Sequence, residues 1–241
     1  MTEIEIELQR IMASIAKHNV PIVFKGAMVL NTILSNQEYI RTTQDIDGST
    51  KIKEVDKIVE LINVALKEDN LNYYFEVYRY PTDVKSIGFY IYHNDGKIFS
   101  QMDLDNKEYF AEVTYTTNQG NFVGVSIEQT LANKVYVLST RKVFRRIKDL
   151  YDVYRIGKCL TFNINDVFLM QDKIGVPFEN FENLLYRVDD VKNAYSKFIG
   201  IQNKPDFNEI YDFVVKKFIP PFINNERNLK WDNKQEKWIK I

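Results

Sequence analysis

The chain has 241 residues and a net charge of −1, from 32 Lys and Arg against 33 Asp and Glu. Because basic residues are not in excess, any attraction to nucleic acid must come from a local patch. A single cysteine excludes disulfide frameworks and multi-cysteine zinc sites within the chain. Two histidines disfavour histidine-led catalysis. Since no apolar run reaches the roughly 20 residues of a membrane helix and the acidic start is unlike a signal peptide, we expect a cytoplasmic protein without a membrane partner.

The hydrophobic pattern changes character near residue 125. Before that point it predicts helices over residues 1–18, 27–34 and 55–66, and strands over 22–24, 43–49, 75–78, 87–92, 98–104 and 110–115, with a hairpin turn at 94–97. From Ser126, which together with Gln129 fits a capping box, it predicts helices over 127–142, 146–159, 165–174, 178–186, 190–198 and 207–218. Pro220 and Pro221 should end the last helix, and residues 231–241 should form a short arm.

The sharpest local feature is the sequence Asp45-Ile46-Asp47. Residues two apart in a strand point to the same face, so both carboxylates share one face while Ile46 enters the core. Two like charges this close require a cation, and carboxylate oxygens suit Mg²⁺. Alone the pair is weak evidence, because exposed strand ends carry such pairs by chance.

A second alternating segment covers residues 99–105, where Asp103 and Asp105 share one face. If this strand lies beside the first acidic strand, Asp103 would complete a cluster of three carboxylates. The alternative is a solvated strand face, which we slightly prefer for Asp105. The flanking Met102 and Leu104 favour Asp103 as the third carboxylate.

Potential phosphate ligands surround the first acidic pair. Lys25-Gly26-Ala27 lies at a strand-to-helix junction, where glycine permits a tight turn and the N–H groups of the helix suit a phosphate. A purely structural glycine is the alternative. Arg41 adds a cation shortly before Asp45.

Eight of the residues from 134 to 158 are Lys or Arg, against only two acids, Asp149 and Asp152. Lys134 falls at the edge of an apolar helical stripe, which favours a cation that reaches a triphosphate over a lysine that merely covers apolar surface. On a continuous helix, Arg141 would lie two turns further along the same edge. The whole segment could hold a triphosphate, an RNA acceptor or both, and the two acids could equally pair with neighbouring arginines.

Together these segments resemble a known family. KGA at residues 25–27 and RTTQDID at 41–47 resemble the KGG…R-[ST]-x-DxD opening of AbiEii/AbiGii-type nucleotidyltransferase toxins, which belong to the DNA polymerase β-like superfamily. LANK at 131–134, LSTR at 138–141 and RIKDLYDVY at 146–154 are similar to the family's second block. The superfamily often has Gly-Ser where this chain has Gly26-Ala27, so one hydroxyl contact to phosphate would be missing.

The resemblance implies an α+β fold, with a mixed-sheet nucleotidyltransferase core over residues 1–125 and a helical domain over 126–241. It also implies Mg²⁺-dependent transfer of a nucleotide from an NTP to an acceptor hydroxyl, in a bacterial toxin–antitoxin or abortive-infection toxin that acts on RNA such as tRNA and has a cognate antitoxin. Two Mg²⁺ ions would bind Asp45, Asp47 and Asp103, and Lys134 and Asp149 would share in catalysis. The residues implied in NTP binding are Lys25, Gly26, Ala27, Arg41, Arg141, Lys148 and Asp152.

Two other functions fit parts of the sequence. DIDGS at residues 45–49 matches the DxDG[ST] opening of haloacid-dehalogenase-type phosphatases, but no apolar strand directly precedes it and no later GDxxxD motif follows. The second alternative is a catalytically inactive binding module on the same fold, which the retained Asp45 and Asp47 disfavour.

Overall fold

The computed structural model describes residues 2–34, 41–81, 86–107, 111–201 and 203–241. These residues divide into two compact units on either side of the Ser126–Ile127 bond. We call them the N-terminal unit and the C-terminal unit and describe each by itself.

The N-terminal unit is built on a mixed sheet of seven strands. Its helices are α1 (Glu3–Lys17), α2 (Gly26–Ile33) and α3 (Val55–Glu68). Its strands are β1 (Ile22–Lys25), β2 (Asp45–Thr50), β3 (Tyr73–Arg79), β4 (Ser86–His93), β5 (Ile98–Asp105), β6 (Glu112–Thr117) and β7 (Gly120–Val125). They lie in the order β3-β4-β5-β2-β1-β7-β6, with parallel pairing between β2 and β5 and between β1 and β7.

One face of this sheet forms a core with α1 and α3. Because side chains alternate along a strand, Ile46, Phe89 and Met102 point to this face, where they are fully buried. They form one cluster with Leu8 of α1 and Ile62 of α3. Thr2 and Glu5 form a capping box that fixes where α1 begins. The opposite face is left to polar side chains of β2 and β5, which include the acidic residues.

Strand β7 is absent from the sequence prediction. Two of its residues are glycines, Gly120 and Gly124, which weaken the apolar alternation that marks a strand. Its pairing with both β6 and β1 nevertheless makes it part of the sheet. The predicted strand over residues 110–115 begins at Phe110, which lies outside the described residues.

The C-terminal unit is mainly helical. It contains α4 (Ile127–Ser139), a 3₁₀ turn (Arg141–Phe144), α5 (Lys148–Cys159), α6 (Ile164–Ile174), α7 (Glu182–Tyr186), α8 (Val188–Lys197), α9 (Phe207–Asp212), a π-helical segment (Phe213–Phe218) and α10 (Pro220–Ile223). A small sheet joins β8 (Phe162–Asn163), β9 (Leu229–Asp232) and β10 (Lys237–Lys240). The α+β fold class predicted from the sequence is confirmed.

The structure corrects the end of one predicted helix in this unit and adds detail to two other local predictions. The helix expected over residues 127–142 stops at Ser139, because Thr140 is extended and its side chain caps the following 3₁₀ turn. The helical segment expected over residues 207–218 does end at Phe218, and Pro220 and Pro221 then begin α10, where a missing N–H costs nothing. The tail forms a hairpin whose Trp231 is completely buried and donates from Nε1 to the Gly157 carbonyl at 2.6 Å. No helix in the described part of the chain is long and apolar enough to cross a bilayer.

Candidate nucleotidyl-transfer site

Strand β2 carries the acidic pair on the face away from the core. Ile46 is fully buried between an exposed Asp45 and a half-buried Asp47. The Thr43 hydroxyl donates to Asp45 Oδ1 at 2.5 Å, which fixes one carboxylate against the segment that leads into the strand. Asp45 and Asp47 therefore face the same side of the sheet.

The neighbouring strands bring further charged residues into line with Asp47. Asp103 of β5 lies opposite Asp47 in parallel register, and Lys25 of β1 lies opposite it on the other side in antiparallel register. Lys25, Asp47 and Asp103 thus form one row across three central strands. Asp105 pairs in register with Ser49, two positions further along the same two strands.

Both β5 carboxylates have cationic partners. Arg79 Nη2 lies 2.6 Å from Asp103 Oδ1, and the Tyr78 hydroxyl donates to the same oxygen at 3.4 Å. Lys25 Nζ lies 2.5 Å from Asp105 Oδ2. The Asp103 side chain is 46% exposed and that of Asp105 only 16%, so Asp103 is the more accessible of the two.

The donor chemistry of Asp45, Asp47 and Asp103 suits Mg²⁺, because all three offer carboxylate oxygens on adjacent strands. Within the described ranges, no three His, Cys, Asp or Glu side chains are grouped closely enough to count as a metal site. One Asp103 oxygen is held by Arg79 of β3 in the ion pair described above.

Gly26 begins α2 directly beside Asp47. Its φ is +73°, and a Cβ at this position would overlap the Asp47 carboxylate. Only glycine therefore allows the start of α2 to approach β2 this closely. Lys25 precedes the helix as its N-cap, and Ala27 is buried in the first turn. Arg41 is also buried, and its carbonyl accepts from Asn31 at 2.7 Å.

The C-terminal unit contains a separate buried ion cluster between α4 and α5. Lys134 Nζ donates to Asp149 Oδ1 at 2.8 Å and to Asp152 Oδ2 at 2.7 Å. All three residues are buried. Burial disfavours the charged ammonium, but the attraction of the two carboxylates outweighs it and raises the pKa of Lys134. Arg146 Nε lies 2.9 Å from Asp149 Oδ2, and Arg155 Nη1 lies 3.5 Å from Asp152 Oδ1.

Only some of the basic side chains between residues 134 and 158 are exposed in the structure. Lys134 and Arg155 are buried in the ion cluster, and Lys158 pairs with Glu236 at 2.5 Å. The exposed cations are those on and just after the 3₁₀ turn, namely Arg141, Lys142, Arg145 and Arg146, and Lys148 is half-buried. Because α4 ends at Ser139, the prediction that Arg141 continues the helix edge of Lys134 is wrong.

Sequence reasoning missed the side chains that hold these acids. Thr43 stands two residues before Asp45 within RTTQDID, but the motif gave no sign that its hydroxyl bonds this carboxylate. Tyr78 and Arg79 contact Asp103 only because strands distant in sequence pair. Tyr78 and Arg79 follow one another in an aromatic strand, so their residue types alone carried no signal of a site.

Comparisons with known proteins agree with this architecture. No family model and no curated protein matches the chain. Among solved structures, the nucleotidyltransferase toxin MenT4 from Mycobacterium tuberculosis is 16% identical, with a TM-score of 0.58 over 97% of this chain and 86% of that one. A candidate nucleotidyltransferase from H. pylori is 15% identical, with a TM-score of 0.54 over 88% of this chain and 91% of that one. The chain has the nucleotidyltransferase fold. A third structure, JHP933 from Helicobacter pylori, is 14% identical with a TM-score of 0.54 over 88% of each chain.

Proposed function

We propose that this protein is a nucleotidyltransferase, which transfers a nucleotide from an NTP to an acceptor hydroxyl and releases pyrophosphate. The observation that carries the proposal is the row of Lys25, Asp47 and Asp103 across three strands, with Asp45 on the same face of β2 and Gly26 at the start of α2. This group on the central strands offers carboxylates beside the backbone N–H groups at the start of α2, which are the two requirements for holding a metal-bound triphosphate.

Each residue has a distinct part in the proposed reaction. Asp45, Asp47 and Asp103 would hold two Mg²⁺ ions, which neutralise charge on the triphosphate when bound. Gly26 and Ala27 supply backbone N–H groups at a helix start, where the positive end of the helix dipole attracts phosphate. Lys25 and Arg41 add positive charge near the same strand ends. The reaction is a direct in-line displacement, so it requires no nucleophilic side chain of the protein.

We assign Lys134 and Asp149 a share in catalysis, with Asp152, Lys148 and Arg141 in NTP binding. Support comes from the family resemblance, and the three residues lie together in one buried ion cluster. The competing explanation is that the cluster only joins α4 to α5. Substitution of Lys134 separates the two, since a joining role affects stability alone.

The proposed acceptor is RNA such as tRNA. The exposed cations Arg141, Lys142 and Arg145 form a local basic patch in a nearly neutral protein, as phosphate binding requires. We further propose, from the family resemblance, a cytoplasmic toxin that is controlled by a cognate antitoxin; one structure with the same fold is itself named as a nucleotidyltransferase toxin.

The test measures transfer of labelled NTPs to total bacterial tRNA with Mg²⁺, for the wild type and for Asp47→Asn. The variant should fold normally and lose transfer, because one ligand of the triphosphate-bound metal is gone. Asp105→Asn is the matched control, since this acid lies on the same face but is neutralised by Lys25. An active Asp47→Asn protein would overturn the site. Release of inorganic phosphate without transfer would favour the phosphatase alternative, and NTP binding without turnover would favour the inactive module.

A further inference from the structure

Glu5 lies in the first turn of α1, far in sequence from the acidic strand, yet it is bonded to the segment that leads into that strand. Glu5 is buried, with only 1% of the residue exposed. Oε1 accepts from the Asn31 side-chain amide at 2.8 Å and from the Thr43 backbone N–H at 3.2 Å. Oε2 accepts from the Thr2 backbone N–H at 2.8 Å. A buried carboxylate with this many donors is strongly held in place.

The same bonds continue to Asp45. Asn31 donates a second time, to the Arg41 carbonyl at 2.7 Å, so α2 is bonded to the start of this segment. The Thr43 hydroxyl then donates to Asp45 Oδ1 at 2.5 Å. Thr43 is therefore bonded to Glu5 through its backbone and to Asp45 through its side chain. Each of these contacts lies within the N-terminal unit.

We infer that Glu5 is a positioning residue that sets the orientation of the Asp45 carboxylate through Thr43. This inference rests on the proposed function, in which Asp45 holds the metal-bound triphosphate. An Asp45 side chain at the exposed end of a strand has several rotamers available, and a bond from a fixed hydroxyl selects one of them. Since a small misplacement of a reacting group can cost about 100-fold in rate, this selection has a measurable effect.

The chain offers a matched control one turn along the same helix. Gln9 is also 1% exposed, and its amide donates to the Thr32 hydroxyl of α2 at 2.8 Å. Glu5 and Gln9 thus both form buried polar links between α1 and α2, but only Glu5 is bonded to the segment before β2. Loss of stability should follow from either change, whereas loss of Asp45 orientation should follow from Glu5 alone.

The experiment compares Glu5→Ala, Gln9→Ala and Thr43→Val by amide hydrogen exchange and by nucleotide transfer. In Glu5→Ala, we expect the Thr43 amide to exchange about tenfold faster or more, because its acceptor is gone. We expect transfer to fall by about 100-fold, while Gln9→Ala keeps both values near wild type. Thr43→Val should lose transfer with its own amide still protected, and Glu5→Ala combined with Thr43→Val should be no worse than Glu5→Ala alone.

Several outcomes would overturn the inference. Wild-type transfer by Thr43→Val, or equal loss of transfer in Glu5→Ala and Gln9→Ala, would show that Glu5 has only a structural part. If Glu5→Ala does not fold, Thr43→Val decides, because it removes the hydroxyl that contacts Asp45 and leaves the bonds of Glu5 to Asn31 and to the Thr43 backbone in place. If the wild type transfers no nucleotide, the proposed function fails, but exchange at Thr43 still decides whether Glu5 holds this segment.

Discussion

Removal of the Lys134 charge should destabilise the C-terminal unit strongly. Lys134→Met keeps most of the side-chain volume but leaves Asp149 and Asp152, each fully buried, without their shared ammonium. Breaking a buried ion pair in this way costs about 3–5 kcal/mol. Arg146 and Arg155 still contact one carboxylate each, so we expect the lower end, about 3 kcal/mol, and a fall in Tm of roughly 10 °C.

The assay is denaturant and thermal unfolding at neutral pH, with Lys216→Met as the control. Lys216 is exposed and pairs with Asp212 at 2.7 Å, an i,i+4 pair worth only about 0.3–0.5 kcal/mol. Replacing Asp149 by Asn in the Lys134→Met protein should recover part of the loss, because one buried carboxylate charge is removed while Asp152 keeps its contact with the buried Arg155.

The pH dependence has a definite sign. Because the pKa of Lys134 is raised in the folded protein, its stabilisation is complete below the ordinary lysine value of 10.5 and is lost as pH rises through the folded value. Lys134→Met should lack this alkaline loss. A variant as stable as the wild type at pH 7 would refute the buried-cluster reasoning, and one with lowered stability but unchanged transfer at low temperature would leave the cluster a purely structural role.

The remaining predictions concern the turn before α2, the basic patch and an acid-sensitive link. Gly26→Ala should abolish transfer and lower stability more than Gly96→Ala, because both have positive φ but only Gly26 has Asp47 in the space of a Cβ; equal unfolding free energies would contradict this. Arg145→Ala should weaken tRNA binding in a salt-sensitive way and lower the slope of log affinity against log salt by about 1, which filter binding at several salt concentrations measures. The pKa of Asp69 is lowered to about 2, chiefly by its bond to Lys17, so its contribution is present above pH 3.8 and is lost as pH falls towards 2. Acid titration of unfolding should show this loss in the wild type and not in Asp69→Asn.

Local pattern alone was enough for much of the architecture. In a helix or strand that is buried on one side, apolar residues recur at a fixed spacing along the sequence. Short sequence windows were therefore enough to predict α1, α3, β4, β5 and the turn between these two strands. The same reasoning placed Ile46 in the core with Asp45 and Asp47 on the opposite face. The hydrophobic pattern failed to predict β7, because two glycines weaken its alternation. It also continued α4 too far, because Thr140 ends a helix that periodicity alone would extend.

Partners far apart in sequence were decided only by the tertiary structure. Alternation showed that Asp103 and Asp105 share a face, but the choice of neighbour for Asp47 depends on the register between β2 and β5. That register is set by the apolar side chains that both strands bury on the core face, and not by the acids on the opposite face. In the same way, helix packing brings Lys134 into contact with two carboxylates of α5. Glu5 is likewise bonded to Thr43, which lies 38 positions away in the chain. A sequence window shows which face a side chain is on, whereas the identity of the residue opposite it is set by how the elements pack.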